Sequence, residues 1–281
     1  MNESIWNGGI WNGEDVDLDA YLARTELSGG LRPDLAALRA VHRAHVSAFA
    51  FENLDVMLGR PVLLDVASLQ AKMVDGRRGG YCFEQNLLFA AVLERLGFRV
   101  RGLAARVRMG GTKVLPMTHM ALRVEADGER WLCDVGFGGE GLLEPLPFHD
   151  GARARQGEWT FSLADEPEGP RVLRSLHKEG WFDLYALGAE ERLPIDYTVA
   201  NHYISTHPRS PFVSQVVVQK TEPDVRTTLT GSVLSVVRPD GSADEWEVGE
   251  GELREVLVER FGIELADDDA VTLARVYSSR T

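Results

Sequence analysis

The stretch RRGGYCFEQN, residues 77–86, places Cys82 between a pair of glycines and a helical pattern. Gly79 and Gly80 permit a backbone turn that larger side chains would hinder. Apolar residues continue at helical spacing as far as Leu96, and Gly97 is typical of a helix C-terminus. The sequence therefore predicts a cysteine at the N-terminus of a buried helix.

The chemistry of Cys82 has two interpretations at this point. The positive end of the helix dipole favours the thiolate, which is the reactive form of cysteine, and Arg77 and Arg78 add local positive charge. Most free cysteines are instead small buried hydrophobic residues. The local sequence leaves both interpretations open, and a base close to the thiol would decide between them.

Length and composition exclude several classes of protein. The chain has 281 residues, which suffices for one to three domains, and a net charge of −13 without a basic block, which argues against a nucleic acid partner. Its two cysteines exclude a disulfide scaffold and predict a cytoplasmic location. We expect neither a secretory signal nor a membrane span, because no apolar run approaches about 20 residues. No Cys/His spacing typical of a zinc site is present, so we expect no metal.

The order of predicted elements is helices first and strands afterwards. Helices are predicted over Asp34–Ala48, from Ser68 to Val74 and after Cys82, and a surface loop over Phe148–Gly157. Strands are predicted over Arg99–Met109, Met120–Val124, Trp131–Val135, Trp159–Leu163, Val172–Leu176, Trp181–Tyr185, Val213–Gln219, Arg226–Leu229 and Ser232–Val237. Two further helices end the chain, one along Leu253–Phe261 and one after Asp267. This order is typical of an α+β fold with an antiparallel barrel or sheet.

A hairpin with Asp127 and Gly128 at its turn fixes a register. The predicted pairs are Ala126 with Glu129, Val124 with Trp131, Leu122 with Cys133 and Ala121 with Asp134. One face of this hairpin is wholly apolar and must belong to the core, so Cys133 is predicted to be a buried bystander. The opposite face carries His119 and Asp134.

His119 and Asp134 are diagonal neighbours on that second face. Diagonal pairs lie roughly 7–8 Å apart, close enough for an imidazole–carboxylate hydrogen bond. Such a bond fixes the tautomer of the histidine and leaves its other nitrogen free to accept a proton from a thiol. Cys82, His119 and Asp134 therefore suggest a catalytic triad, whereas a hairpin salt bridge without chemistry is the alternative.

The other six histidines carry weaker signals. His42 and His45 fall within a predicted helix, where packing or surface roles are expected. His149 and His177 have no predicted partner, and His202 has no strong signal. His207 matters only as part of the motif Ser205–Pro208.

In six segments the chain resembles the arylamine N-acetyltransferases, particularly the actinobacterial members. The resemblance runs from about Val16 to the C-terminal helix. It rests on Asp17–Arg24, Phe51–Leu54, Arg78–Glu84, Thr118–His119, Asp134–Gly139 and Ser205–Pro208. Each segment alone is weakly diagnostic, but their order and spacing are specific.

The resemblance implies a fold and a division of the chain. The family fold is an N-terminal helical bundle, an antiparallel β-barrel and a C-terminal α/β lid, with a core like that of papain-type cysteine enzymes. We accordingly expect a helical domain at 1–102 that carries the nucleophile, a barrel domain at 103–208 that carries the histidine and aspartate, and a lid at 209–281.

The resemblance also implies a reaction. Cys82 would be the nucleophile, His119 the general base and Asp134 the third triad member in a ping-pong transfer from acetyl-CoA to an arylamine, arylhydrazine or arylhydroxylamine. The Cys82 N–H would be an oxyanion donor. Acetyl-CoA is the expected co-substrate, and the implied partners are small molecules; the oligomeric state stays open. Contacts with CoA are expected from Thr118, Gly136, Phe137, Gly138 and Phe212, and contacts with the acceptor from Phe51, Val107 and Phe137.

Two departures from the family pattern are visible. Ser47–Ala50 lacks a proline that often precedes the family's phenylalanine, and Arg209 replaces a residue that is frequently small. The first fifteen residues extend beyond the usual start and are expected to be disordered.

Three alternatives remain at this level. An amide synthase of the same fold would release an aromatic-amine polyketide as a macrolactam instead of using acetyl-CoA. A cysteine protease or transglutaminase-like enzyme shares the Cys, His, Asp order but lacks the motifs Arg78–Cys82 and Asp134–Gly138. A non-catalytic binding domain would not need an intact triad.

Overall fold

The computed structural model describes residues 9–278. Its α-helices are α1 (Leu18–Arg24), α2 (Leu35–Ala48), α3 (Leu54–Met57), α4 (Val66–Gln70), α5 (Cys82–Arg95), α6 (Tyr197–Thr206), α7 (Pro211–Ser214), α8 (Leu253–Phe261) and α9 (Asp267–Ser278). Short 3₁₀ turns lie at Gly13–Asp15, Pro194–Asp196 and Glu250–Glu252, and a π-helical segment at Ala71–Asp75. Among residues 9–278, no helix has both the length and the apolar character needed to cross a membrane.

The strands form two antiparallel sheets. They are β1 (Phe51–Glu52), β2 (Arg99–Val107), β3 (His119–Ala126), β4 (Glu129–Cys133), β5 (Leu146–Pro147), β6 (Ala152–Gln156), β7 (Trp159–Asp165), β8 (Arg171–His177), β9 (Gly180–Arg192), β10 (Val217–Thr221), β11 (Arg226–Thr230), β12 (Val233–Val237) and β13 (Ala243–Glu247). The larger sheet has the order β5-β4-β3-β2-β9-β8-β7-β6, and its two edge strands approach each other to make a nearly closed barrel. The smaller sheet has the order β1-β10-β11-β12-β13.

Helix α5 is the central element of the helical part. Every residue from Cys82 to Leu93 is buried. A helix that is apolar around most of its circumference must be enclosed on all sides. α5 packs against β2 and β3 of the barrel and against α4, so the start of α5 is held where the helices, the barrel and β1 meet.

The predicted α+β order and the predicted hairpin register are confirmed. Leu122 pairs with Cys133, Val124 with Trp131 and Ala126 with Glu129. Asp127 and Gly128 have φ of 51° and 79°, as a two-residue type I′ turn requires. The ladder ends at Cys133, however, so the predicted pair of Ala121 with Asp134 does not form.

Several boundaries differ from the sequence prediction; for example, the strand predicted over Trp181–Tyr185 extends to Arg192. The segment Phe148–Gly157, predicted as a surface loop, contains the edge strand β6. Its many polar residues make the period-two pattern of a strand hard to recognise in the sequence. The short helix starts at Val66, because the Asp65 side chain accepts a hydrogen bond from Ser68 N at 2.9 Å. Residues 211–214 form α7 rather than the start of a strand.

The N-terminal prediction of disorder is wrong for residues 9–15; residues 1–8 lie outside the described part of the chain. The backbone N–H groups of Ile10, Trp11 and Gly13 donate to the Glu94 carboxylate at 2.8–3.2 Å. The Trp11 side chain is buried, and its indole N–H donates to Val100 O at 3.3 Å. Glu94 on α5 therefore holds this segment, a contact that no local pattern reveals.

Candidate active site

Cys82 is placed by a backbone contact between the glycine turn and β1. Glu52 N donates to Gly80 O at 3.1 Å, and Gly80 N donates to Ala50 O at 3.3 Å. A Cβ atom at Gly79 would collide with Ala50 O. The glycines are therefore needed for close approach, and they deliver Cys82 as the first residue of α5.

A buried cluster of charges supports the same turn. Lys72 Nζ lies 2.7 Å from both Glu84 Oε1 and Asp55 Oδ2, and Arg78 Nη2 lies 2.8 Å from Glu52 Oε1. Glu84 Oε2 also accepts a hydrogen bond from Tyr81 N at 2.9 Å. Burial raises the pKa of Glu84 to about 7, although Lys72 partly offsets this effect.

The two arginines before Cys82 do not act as free charges. Arg78 is committed to Glu52 and Asp55, and Arg77 forms an ion pair with Glu264 at 2.9 Å. Their expected contribution to the local positive charge at Cys82 is therefore largely offset by carboxylates. The helix terminus and the histidine described next remain as the positive groups at the thiol.

His119 and Asp134 form a buried hydrogen-bonded couple. The Nε2–H group of His119 donates to Asp134 Oδ2 at 2.7 Å. Burial opposes the charged imidazolium, but the Asp134 carboxylate and the interaction with Cys82 outweigh burial and raise the pKa of His119 to about 10. Burial likewise opposes the carboxylate, yet His119, Asn86 and Gly136 hold the pKa of Asp134 below its usual range.

Cys82 lies beside this couple. Its Sγ is 3.8 Å from Thr118 O, directly before His119 in the chain, and the thiol is within hydrogen-bonding reach of the imidazole. The Nε2 atom donates to Asp134, so Nδ1 is the ring nitrogen that is free of this bond. The structure thus brings together the three side chains that the sequence singled out.

Asn86 is a site residue that the sequence prediction missed. Its Nδ2 donates to Asp134 Oδ1 at 3.0 Å and to Met120 O at 2.9 Å, while its Oδ1 accepts from Val135 N at 3.2 Å. Asn86 is one helical turn beyond Cys82, so both project from the same face of α5. A buried amide at that spacing was the available signal.

Tyr185 is a second residue that was missed. Its ring lies with its centroid 4.8 Å from that of His119 and 5.1 Å from that of Phe137. Burial, followed by the nearby Asp134 carboxylate, raises the pKa of Tyr185 well above its usual range. The neutral hydroxyl makes no well-aligned hydrogen bond with any residue of 9–278. The ring of Tyr185 therefore covers one side of the His119 imidazole.

The loop after β4, residues 134–142, is called the glycine loop and lies directly against Cys82. Gly136 N donates to Asp134 Oδ1 at 3.0 Å, and a Cβ atom at Gly136 would lie 2.8 Å from Cys82 Cα. Gly138 O accepts from Thr221 Oγ1 at 2.8 Å, and Gly139 N donates to Gln219 Oε1 at 3.1 Å. The loop is thereby tied to β10 of the smaller sheet.

His177 has partners that the sequence did not predict. Its Nε2 lies 3.1 Å from an oxygen of Glu140, which also accepts a hydrogen bond from Ser175 Oγ at 2.7 Å. Arg226 Nη1 lies 3.2 Å from the same carboxylate. The end of the glycine loop is consequently anchored to β8 and β11.

The predicted ligand-contacting residues fall in different places. Phe51, Phe137 and Gly138 line a cavity of about 20 Å³ beside Asp134, whereas Val107 lines a separate groove of about 1580 Å³ beneath residues 108–118. The ring of Phe212 packs against Phe51 with a centroid distance of 5.6 Å. Residues 9–278 contain no cluster of three or more His, Cys, Asp or Glu side chains suited to a metal ion.

Cys133 and two helix histidines are fully buried. Burial, with a smaller contribution from Asp134, raises the pKa of the Cys133 thiol well above its usual range, which fits its predicted place on the apolar face. His42 and His45 lie inside the protein rather than at its surface.

Comparison with known proteins assigns the chain to a family. Residues 34–270 match the N-acetyltransferase family. The arylamine N-acetyltransferase of Mycolicibacterium smegmatis is 38% identical over 258 residues, covering 90% of this chain and 94% of that protein. The crystal structure of the Nocardia farcinica arylamine N-acetyltransferase is 45% identical, with a TM-score of 0.88 and coverage of 94% and 95%. The Mycobacterium marinum enzyme in complex with CoA is 34% identical, with a TM-score of 0.87 and coverage of 94% and 99%.

Proposed function

The chain belongs to the arylamine N-acetyltransferase family, and from this premise we propose that it transfers an acetyl group from acetyl-CoA to an arylamine, arylhydrazine or arylhydroxylamine through an acetyl-Cys82 intermediate. The observation that carries the proposal is the 2.7 Å bond from His119 to Asp134, together with the interaction of the same imidazole with Cys82. Such an arrangement supplies a nucleophile, a base and a group that orients the base.

In the first half-reaction, the proton of the Cys82 thiol resides on His119, whose raised pKa favours the ion pair, and the Cys82 sulfur attacks the thioester carbonyl of acetyl-CoA. The bond between the carbonyl carbon and the CoA sulfur then breaks, and CoA leaves as a thiol with the proton from His119. One thioester replaces another, so the acetyl group stays activated. As the first residue of α5, Cys82 has an N–H without a partner inside the helix, and this group is suited to stabilise the oxyanion.

In the second half-reaction, the amine nitrogen attacks the acetyl carbon on Cys82. His119 accepts the proton of the amine and returns one to the departing sulfur of Cys82. Asp134 keeps the imidazole in one orientation throughout, because its other hydrogen bonds to Asn86 and Gly136 restrict the carboxylate. The enzyme is regenerated without a net change in protonation.

The ligand contacts remain proposals. Thr118, Gly136, Phe137, Gly138 and Phe212 are proposed to contact CoA, since a relative of known structure is a CoA complex. Phe51, Phe137 and Val107 are proposed to contact the acceptor; Phe51 and Phe137 line one small cavity beside Asp134, which would have to widen to admit an aromatic ring.

We retain the proposed division into 1–102, 103–208 and 209–281. The barrel strands β2 to β9 support the middle unit, although β2 begins at Arg99 and β1 pairs with β10 across the outer boundaries. We further propose a reducing, cytoplasmic setting with small-molecule partners, because both cysteines are free thiols.

The test is intact-mass analysis after mixing the enzyme with acetyl-CoA. We expect an acetyl adduct on the wild type, none on Cys82→Ser, and an unchanged adduct on the matched control Cys133→Ser. Addition of an aniline should remove the adduct and yield the acetanilide. A wild-type enzyme that is never acetylated by acetyl-CoA contradicts the proposal, and acylation by a long-chain thioester alone would favour the amide synthase alternative.

A further inference from the structure

His42 links α2 to both ends of the glycine loop. This residue is fully buried, and its ring Nδ1 lies 3.1 Å from Leu143 O while its Nε2 lies 3.3 Å from Asp134 N. Asp134 begins the loop and Leu143 follows its end. The imidazole of His42 thus bonds to the backbone on both sides of the glycine loop, which lies against Cys82.

The partners of His42 determine its protonation. A carbonyl oxygen only accepts, so Nδ1 must carry a proton and donate to Leu143 O; a backbone N–H only donates, so Nε2 must be unprotonated to accept from Asp134. Only the neutral Nδ1–H tautomer makes both bonds. Burial favours this form and lowers the pKa of His42 to about 4, although Leu143 O and the carboxylates of Asp134 and Glu144 act in the opposite direction.

The charged and titratable neighbours of His42 lie in three segments of the chain, namely the two ends of the glycine loop and helix α2. Asp134 and Glu144 face it from the two ends of the loop, and Arg43 and His45 belong to its own helix. Arg43 is engaged with Glu144 at 2.8 Å, which offsets much of the charge of that carboxylate. The neutral state of His42 is therefore the one favoured by its surroundings as a whole.

The backbone after β4 depends on side chains for its hydrogen bonds. Once the ladder has ended at Cys133, Asp134 N donates to His42 Nε2, Val135 N to Asn86 Oδ1, and Gly136 N to the carboxylate of Asp134 itself. Buried N–H groups need such partners. Asn86 therefore holds the Asp134 side chain, whereas His42 holds its backbone.

We propose that His42 is a positioning residue for the transfer reaction: by accepting from Asp134 N and donating to Leu143 O, it fixes the carboxylate that orients His119 toward Cys82. The role in transfer rests on the proposed function. Among residues 9–278, His42 makes hydrogen bonds with Leu143 and Asp134 but none with the thiol of Cys82 or the imidazole of His119, so it acts through Asp134 and the glycine loop. Small displacements of such groups reduce reaction rates severely.

The variants separate the two bonds of His42. In H42N, the amide reaches the position of Nδ1 and keeps the bond to Leu143 O but loses Asp134 N. In H42Q, the longer side chain places Oε1 near the position of Nε2 and keeps an acceptor for Asp134 N. H42F fills the space with neither bond. The matched control is H45N, since His45 is buried on the same helix and is hydrogen bonded to Tyr21 at 2.9 Å instead of to the loop.

The readout is the rate of Cys82 alkylation by iodoacetamide between pH 5 and 9, alongside the single-turnover rate of acetylation by acetyl-CoA and the melting temperature. We expect H42N and H42F to lower both rates about 10- to 100-fold, with an altered pH profile and an unchanged KM for acetyl-CoA. H42Q should recover most of the loss. H45N should lose thermal stability but keep the wild-type rates and pH profile.

Equal melting losses in H42N and H45N, with wild-type alkylation profiles in both, would show that His42 is merely structural and overturn the proposal. Alkylation needs no CoA, so it tests His42 even if the wild type fails to acetylate, which would contradict the proposed function instead. If H42N and H42F do not fold, ¹⁵N-histidine spectra of the wild type give a second test. A protonated His42, or its Nε2–H tautomer, between pH 5.5 and 8 contradicts the proposal because Asp134 N then has no acceptor.

Discussion

Nε2 of His119 lies 2.7 Å from Oδ2 of Asp134, and both side chains are shielded from water. The carboxylate is the main group that keeps the pKa of His119 high despite burial. The D134N variant keeps the shape of the side chain but lacks its negative charge. Its amide can also stabilise the wrong tautomer of His119. We expect kcat/KM to fall on the order of 10³- to 10⁴-fold, measured with acetyl-CoA and an aniline. Activity near that of the wild type would exclude Asp134 as the orienting group.

Asn86 should matter for catalysis more than for stability. N86A removes the amide from Asp134 Oδ1 and leaves Val135 N without its acceptor. We expect about a 10- to 100-fold loss of the acetylation rate. The control is Q70A, which removes a buried amide that is bonded to the Asp17 backbone at 3.1 Å instead of to Asp134. Equal rate losses in the two variants would contradict a specific role for Asn86.

Lys72 should be important for folding, because it neutralises the carboxylates below the Cys82 turn. In K72M, Glu84 and Asp55 each lose an ion-pair partner at 2.7 Å. Leaving buried charges unpaired costs about 3–5 kcal/mol in the free energy of unfolding, measured by urea denaturation at pH 7. K178M, on an exposed turn, is the control and should leave stability nearly unchanged. A K72M variant with the same free energy of unfolding as the wild type would show that the ion pairs of Lys72 do not stabilise the native state.

Acid should destabilise the fold through the two buried histidines of α2. The folded-state pKa of His42 is depressed to about 4 from 6.5, mainly by burial, and that of His45 is also lowered. The unfolded chain then binds more protons than the native state in this window. Stability is therefore complete above pH 6.5 and is lost as the pH falls toward 4.

For His42 alone, the loss between pH 8 and pH 5 should be about 2 kcal/mol. Urea denaturation at the two pH values measures it, with H42Q as the comparison. We expect the pH-dependent loss to be smaller in H42Q by that amount, because glutamine does not titrate. An identical pH dependence in both proteins would show that folding does not lower the pKa of His42.

Gly136 should not tolerate a side chain. The Cβ atom of G136A would approach Cys82 Cα and the Asn86 amide to 2.8 Å, and neither helix backbone nor buried amide can move freely. We expect G136A to fold with a displaced loop and to lose most of its acetylation rate. G30A, where a Cβ atom meets no neighbour within 4 Å, is the control. An active G136A would show that the loop can shift without affecting the site.

Much of the site could be predicted because it depends on local patterns. The turn at Asp127 and Gly128, together with period-two alternation, predicted the register of the hairpin as far as Cys133, and from it the proximity of His119 and Asp134. The glycine pair and the apolar run located Cys82 at the start of α5. Resemblance to a family then connected the two segments.

The missed residues are those whose partners lie far away in the sequence. Tyr185 reaches His119 only because β9 pairs with β2, and the N-terminal segment is ordered only because Glu94 offers its carboxylate. His177 pairs with Glu140 of the glycine loop, and the same carboxylate pairs with Arg226 of the smaller sheet. No local propensity encodes such contacts, so these predictions were absent or wrong.

The amino-acid sequence by itself predicted Cys82, His119 and Asp134 as the reactive residues, because turn chemistry and side-chain periodicity act over a few residues. Only the tertiary structure decided what holds them. Asp134 lies beyond the end of its ladder, and its backbone and carboxylate are satisfied by side chains from α2 and α5. Burial makes unpaired polar groups costly, so the packing of distant elements, rather than local sequence, fixes the geometry of the site.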